Sequence, residues 1–399
     1  MEEKTSAFPK GFLWGAATSS YQVEGGNTND WSEWEKSPKR LAFLKSKKFN
    51  PEDFQSGKAA NSWEHFEEDI ACLKQINATA YRFSIEWSRI EPQEGVFDEE
   101  AINKYHHFIK RLREENIEPF VTLWHWPLPL WLRDKGGWKD KRIIPFFIRY
   151  AEKIVSSCPE VTFWSTLNEP EVYASHGYLV GDWLPQKHNP FSYLRVYHNL
   201  IHAHRAVYTV IKKINTHAQI GIASHHIYFE AAPGFINKML AAIPHWWWNR
   251  YFLNRCHGCY DFIGINYYHH ILVKYGFFKN YEQQKSDMGW GLCPGGLYSA
   301  AKDLSRYGKP MYVTEHGIAD AQDIQRGWYI QESLRFLQRA ISEGADVRGY
   351  THWSLLDNFE WAFGYTHKFG LFSVDRESSK RVSRPSAHMY SEIAKNNHL

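Results

Sequence analysis

The chain has little of what marks a secreted disulfide scaffold, a membrane span or a nucleic-acid binder. Among 399 residues only five are cysteine, an odd number at irregular spacing, so no disulfide framework is expected. Cys256 and Cys259 form a lone C-x-x-C without the second ligand pair that a structural zinc site requires, so neither metal nor other cofactor is expected. No apolar run is long enough to span a bilayer. The first residues, Met1-Glu2-Glu3-Lys4, lack the apolar stretch of a secretory leader, and a cytoplasmic location is the expectation. Charge of neither sign dominates. Lys+Arg number 47 against 44 Asp+Glu, and no long basic run occurs, so neither nucleic acid nor membrane is expected as a partner. Linkers rich in Pro, Gly or Ser and internal duplications are also missing. One domain over residues 1–399 is then the simplest organisation, at a length that α/β barrels reach as single units.

What is abundant is aromatic: 18 Trp, 23 Tyr and 25 Phe. Most such rings fill cores. A pyranose, however, offers an apolar C–H face that stacks on indole, and its hydroxyls need fixed polar partners, so some of these rings suit a sugar pocket.

Short β-like runs alternate with longer segments of helical period, which argues for βα units on a parallel sheet. The eight candidate strands are 12–18, 80–86, 119–124, 162–168, 219–224, 262–267, 311–314 and 347–353, several of them apolar on both faces as buried parallel strands are. Helical periodicity is read over 61–76, 101–115, 144–156, 199–214 and 331–344. An open doubly wound sheet would carry a glycine-rich phosphate loop, and Gly25-Gly26 does not match it. The fold class is therefore α/β, a single (β/α)8 TIM barrel, and functional residues should lie at the C-terminal strand ends.

The polar residues fall there. Strand one runs into Tyr21-Gln22-Val23-Glu24; strand two contains Arg82 and ends near Glu86-Trp87; strand three ends in His125-Trp126. Strand four ends in Asn168-Glu169-Pro170, strand six in Asn266-Tyr267-Tyr268 and strand seven in Glu315-His316-Gly317. Strand eight gives Trp353 and leads into Asp357-Asn358-Phe359-Glu360-Trp361. Each of these alone is more often a capped turn or a packed side chain. Together they set one carboxyl on strand four and another on strand seven across one mouth, as glycoside hydrolysis by two carboxyl groups requires.

These motifs, with Phe8 to Gly15, Ser19 to Gly25, Tyr81 to Ile90, Asp261 to Tyr268 and Phe369-Gly370-Leu371, run along nearly the whole chain, which resembles glycoside hydrolase family 1, the β-glucosidase and β-galactosidase family. The resemblance implies Glu169 as acid/base and Glu315 as nucleophile. It implies that Gln22, His125, Trp126, Asn168, Glu360, Trp361 and Phe369 hold or surround the sugar, with Trp353 as its stacking floor. Arg82, Asn266 and Tyr268 are implied as support. The activity implied is that of a retaining exo-β-glycosidase on terminal glucose, with galactose and fucose as further candidates. Retention needs the carboxyls about 5–5.5 Å apart, one protonated and one ionised. Glu360 argues against 6-phosphorylated sugars, because its charge would repel the phosphate.

Three features depart from the family pattern. His316 stands where asparagine is common, Pro127 where aspartate is common, and the loops after strands four, six and seven look trimmed. An endo-acting barrel glycosidase would need an open groove, which Gln22, Glu360 and Trp361 argue against. A catalytically weak sugar-binding relative would be expected to lose a glutamate. A transglycosylating enzyme needs only an acceptor that outcompetes water. The run Trp246-Trp247-Trp248 has three readings open: packing against the barrel, lining the leaving-group entrance, or a contact between subunits.

Overall fold

Segments that are apolar on both faces must pair on both edges and be covered on both sides. The computed structural model, which describes residues 7–279 and 282–399, joins eight such segments. They are β1 (Leu13–Ala17), β2 (Ala80–Ser84), β3 (Glu118–Trp124), β4 (Phe163–Asn168), β5 (Gln219–Ala231), β6 (Phe262–Lys274), β7 (Met311–His316) and β8 (Val347–Trp353). Each pairs in parallel with the next, and β8 returns to β1 with Trp353 opposite Ala17, closing a (β/α)8 barrel.

The register sets the site. Asn168 of β4 lies opposite Ala223 of β5, His225 of β5 opposite Asn266 of β6, and Asn266 opposite Glu315 of β7. The other end is plugged by Phe120, Phe163, Phe262 and Tyr312, with the first two rings stacked 4.1 Å apart between centroids. Burying each such ring contributes about 1.5–3 kcal/mol, so that end is core rather than channel.

The expected helices appear as α1 (Phe66–Gln75), α2 (Glu99–Glu114), α3 (Ile143–Ser157), α4 (Pro190–Ile214) and, later in the chain, Arg326–Ser342. Asp98 caps α2 by accepting from the Ala101 N–H at 2.9 Å. Helix α4 begins nine residues before the apolar period does, because Asn189 accepts from the Ser192 N–H at 2.8 Å and Pro190 takes the first helical position. Between β5 and β6 lies α5 (Phe235–His245), which packs on both strands.

Strands β5 and β6 outrun their expected ends. Beyond the rim, Ile227–Ala231 pair with His269–Val273, and Phe277–Lys279 turn back antiparallel on β6. The resulting ribbon stands over one side of the mouth. Among the described residues no helix is long and apolar enough to cross a membrane.

Candidate active site

Glu169 follows β4 and takes the left-handed conformation (φ +44°, ψ +60°) before Pro170 opens a short helix. Trp126 (φ +89°) and Trp361 (φ +48°) are in the same region of backbone space. Such a conformation costs of order 1–3 kcal/mol in a non-glycine residue, so the surroundings must enforce it, and Trp126 is held by donating its indole N–H to the Asn168 carbonyl at 3.0 Å. Glu315 sits in β7, two residues before Gly317. A side chain on Gly317 would place Cβ 1.9 Å from the Trp353 carbonyl oxygen, so glycine there is what lets the ends of β7 and β8 close.

The two glutamates are both buried and both line one cavity of about 300 Å³, but their partners differ. Glu315 Oε1 is ion-paired with Arg82 Nη1, and Oε2 accepts from the Tyr268 hydroxyl at 2.9 Å. Among the described residues, Glu169 Oε1 accepts from Asn266 Nδ2 alone, at 2.8 Å. Burial pushes the Glu169 carboxyl well above the usual range, and the charge of Glu315 adds to the rise. Burial also raises Glu315, against the opposition of Arg82 and of the hydrogen bonds from Tyr268 and Asn266. Glu360, partly exposed, is pushed up to about 8 by burial and then by Glu315, against a hydrogen bond from Gln22. Arg82 acts on both Glu169 and Glu315, and Glu315, which touches it, is the natural seat of the charge.

Behind the carboxyls the polar atoms form a closed network. Arg82 Nη2 donates to Asn168 Oδ1 at 2.7 Å, and Asn266 Nδ2 donates to the same oxygen at 3.2 Å. Asn168 must therefore present its Nδ2 to His125 Nε2, 2.9 Å away, which makes that nitrogen an acceptor and puts the imidazole proton on Nδ1. Burial and Arg82 together hold His125 well below the usual imidazole range, and its buried Nδ1 has no partner among the described residues. The ring lies between Trp353 and Trp361, at 6.0 and 5.9 Å. Gln22 is fully buried: its amide donates to Asn358, to the Phe359 carbonyl and, at 3.3 Å, to Glu360, while its oxygen accepts from Ser19.

Of the residues picked from the sequence, Glu169, Glu315, His125, Trp126, Trp353, Glu360, Trp361, Phe369 and Tyr268 line the cavity. Gln22, Asn168, Arg82 and Asn266 stand behind them. Glu24 and Glu86 are held elsewhere, Glu24 by Arg89 and Tyr105, Glu86 by Ser20, Ser88 and Asn29.

The outer wall is built by Trp183, Trp248, Trp290, Met288, His225 and His269; of these only Trp248 is singled out from the sequence, with lining the leaving-group entrance as one of its three readings. The histidine pairs 225–226 and 269–270 follow the rim positions of β5 and β6 and were a usable signal. Trp248 Nε1 donates to His225 Nδ1 at 3.0 Å. An indole N–H can only donate, so His225 carries its proton on Nε2 and passes it toward His269 Nδ1 at 3.2 Å, leaving His269 Nε2 as the free donor. Burial holds His225 well below the usual range and brings His269 down to about 4, so the pair is neutral near pH 7. The tryptophan run splits three ways. Trp248 lines the cavity, Trp247 packs on Tyr251 and donates to the Tyr193 hydroxyl at 2.8 Å, and Trp246 is exposed.

A metal-like grouping exists outside the cavity. Ligand atoms of His270, Glu282 and Cys293 lie within 4.8 Å of one another, and His270 is already held between Glu282 and Glu230 at 2.9 and 2.8 Å.

Comparison with known proteins gives the family. The model of glycosyl hydrolase family 1 matches residues 4–263 and 252–399. The chain belongs to glycosyl hydrolase family 1. It is 33% identical to a 1,4-beta-D-glucan glucohydrolase of Thermotoga neapolitana, over 98% of this chain and 99% of the relative. The solved beta-glycosidase from Pyrococcus horikoshii superposes with a TM-score of 0.90 at 35% identity, covering 99% of this chain and 96% of that one. The beta-glucosidase from Thermotoga maritima in complex with deoxynojirimycin gives 0.90 at 31%, covering 98% and 99%.

As a family 1 member the chain is a glycoside hydrolase, and its departures find places in the fold. The alignment with the Thermotoga neapolitana relative runs to 446 positions against 399 residues here, so the relative carries residues that this chain lacks. His316 is fully buried and does not line the cavity. It bonds the Tyr350 hydroxyl at 2.8 Å, stacks on Tyr329 at 4.8 Å, and is brought down to about 3 by burial. Pro127 contributes its carbonyl to the Trp124 indole at 2.9 Å.

Proposed function

We propose that the chain is a retaining exo-β-glycosidase acting on terminal, non-reducing β-glucosides, with β-galactosides and β-fucosides as further substrates. The observation that carries this reading is the inequality of two buried carboxyls. Glu315 is paired with a cation, whereas Glu169 is held protonated by burial and by Glu315 itself. The ionised Glu315 attacks the anomeric carbon as the glycosidic C–O bond breaks, and Glu169 gives its proton to the departing oxygen. Forming the ester removes the charge of Glu315. The pKa of Glu169 then falls, and Glu169 takes a proton from the water that attacks the same carbon. Trp353 serves as floor for the sugar, with the His125 ring beside it in the cavity wall. Asn168, fixed by Arg82 and Asn266, positions that imidazole. Gln22 aims Glu360, whose carboxyl can take two neighbouring hydroxyls of either epimer. Among the described residues no lysine or arginine lines the cavity, which favours uncharged sugars over phosphorylated ones.

The test is release of nitrophenol from aryl β-glucoside, β-galactoside and β-fucoside by the parent and by Glu315→Ala, with and without azide. The expected result is turnover by the parent, background release by the variant, and an α-glycosyl azide on rescue. A folded parent that cleaves none of the three would overturn the reading. A β-glycosyl azide from the Glu315 variant would reassign the nucleophile.

A further inference from the structure

Helix α5 is built inside out. An amphipathic helix on a globular protein turns its apolar stripe to the core. Here Asn237 and Ala241 are buried, while Phe235, Ile236, Met239 and Ile243 face solvent with exposures of 76, 62, 56 and 68%. Positions 236, 239, 243 and 246 follow helical spacing, so exposed Trp246 continues the stripe. The adjoining turn of the ribbon adds Tyr275, Phe277 and Phe278, all more than half exposed. The two groups are tied together, because the Tyr275 N–H donates to Asn237 Oδ1 at 2.7 Å, and Asn237 in turn donates to the Pro233 carbonyl. Eight large apolar side chains thus form one surface, far from the scattered single exposures that proteins ordinarily show.

Charge decides what covers this surface. Residues 231–260 and 262–281 contain no aspartate or glutamate, the flanking Glu230 and Glu282 are both bonded to His270, and Lys238 and Lys274 are exposed beside the rings. A second copy docking by two-fold symmetry would bring Lys238 and Lys274 toward their own images, while the acids of the ribbon, Glu230 and Glu282, are already held by His270. Aromatic side chains interleaved with lysines on a helix lying flat suit an anionic lipid surface, where the rings enter the headgroup layer and the ammonium groups meet phosphates.

We propose that the face formed by α5 and the turn at 275–278 rests on the surface of an anionic bilayer. This is peripheral attachment without a span. Trp248, one turn past α5, and Ile227 and Ile271 of the ribbon line the catalytic cavity, so attachment here sets the outer side of the mouth beside the lipid. The inference stands on exposure and charge, independently of the roles given to the two glutamates.

Sedimentation of the full chain with phosphatidylcholine vesicles, with and without phosphatidylglycerol, tests it. The parent should pellet with the phosphatidylglycerol-containing vesicles and come off as salt is raised. Partition should drop about ten-fold or more in the pair Ile236→Glu/Ile243→Glu and in the pair Lys238→Glu/Lys274→Glu. Turnover of soluble nitrophenyl β-glucoside, unchanged in both pairs, certifies folding, since none of these residues touches the cavity. No partition of the parent, or equal partition of parent and variants, overturns the proposal. Equal partition onto both vesicle types overturns its anionic part. A dimer in light scattering that Ile243→Glu dissolves would assign the face to a second copy and overturn it as well.

Discussion

The inner and outer ends of the cavity are built on different principles. Around Glu169 and Glu315 polar atoms touch polar atoms: Arg82, Asn168, Asn266 and His125 hold one another at hydrogen-bond distance, and Gln22 holds Glu360. Their side chains have no freedom to adapt. Farther out, Trp183, Trp248, Trp290 and Met288 offer apolar faces, and the polar groups among them are the indole N–H groups, the neutral His225–His269 pair and the His176–Asp182 pair at 2.9 Å. The inner end therefore dictates the bond chemistry and the sugar. The outer end sorts leaving groups by shape and apolar area, with few hydrogen bonds to satisfy. A sugar leaving group would exchange several water contacts for few protein ones, whereas a flat aryl group gives up little.

The strongest way to separate the two ends is to remove the proton donor. Glu169→Ala should lower kcat/KM about 10²–10⁴-fold for phenyl glycosides, whose oxygen needs a proton to leave. Dinitrophenyl glycosides, which leave without one, should lose far less in the bond-breaking step. Azide should restore turnover and give the β-glycosyl azide. A loss of equal size for both leaving groups would show that Glu169 does not supply the proton.

Arg82→Met tests the inner network through pH. Arg82 favours the ionised form of Glu315, so without it the Glu315 carboxyl titrates at higher pH. Activity requires that group ionised, and the acid limb of kcat/KM should therefore move upward, by about 1–3 units for the loss of a close cation. The basic limb follows Glu169 losing its proton, and Arg82 lowers that pKa, so this limb should move upward too. Activity at neutral pH should fall by about 10²-fold, since Asn168 loses a partner as well. An acid limb that stays in place while activity falls would make Arg82 a packing residue only.

The inner end was legible in the sequence because a closed parallel barrel brings all its strand ends to one rim. Asn168-Glu169, Asn266 and Glu315 are the last polar residues of apolar runs, and that alone placed them together. What the run could not tell was rank: Gln22 reads like a sugar ligand, but three acceptors already use its amide. The outer wall was not legible, since Trp183, Met288 and Trp290 come from irregular chain with no period to read. The lengths of β5 and β6 were also missed, because past the rim the two strands leave the barrel as a ribbon and the alternation weakens. Helix α5 shows a further limit. An apolar helix reads as a buried one, and nothing in its spacing says that the small face, Asn237 and Ala241, turns inward. The expectation of no membrane partner came from the absence of a long apolar run, a test that an eleven-residue surface helix passes unseen.

The finest test of the comparison lies on the outer wall. If Trp248 fixes the tautomer of His225, and His225 that of His269, then one N–H at His269 Nε2 is presented with fixed polarity. His269→Phe keeps the ring and removes that donor. For aryl β-glucosides whose ring bears a carbonyl acceptor, such as the coumarin glucoside, kcat/KM should fall about 3–10-fold, the worth of one neutral hydrogen bond. β-Glucosyl fluoride, which places nothing on the outer wall, should be cleaved at the parent rate, and this keeps the inner end under control in the same experiment. Trp248→Phe should give the same selective loss without touching His269, because the freed His225 can turn its acceptor rather than its donor to its neighbour. Equal losses on fluoride and coumarin glucoside would mean that the outer rings support the inner network, and that the two ends are one structure rather than two.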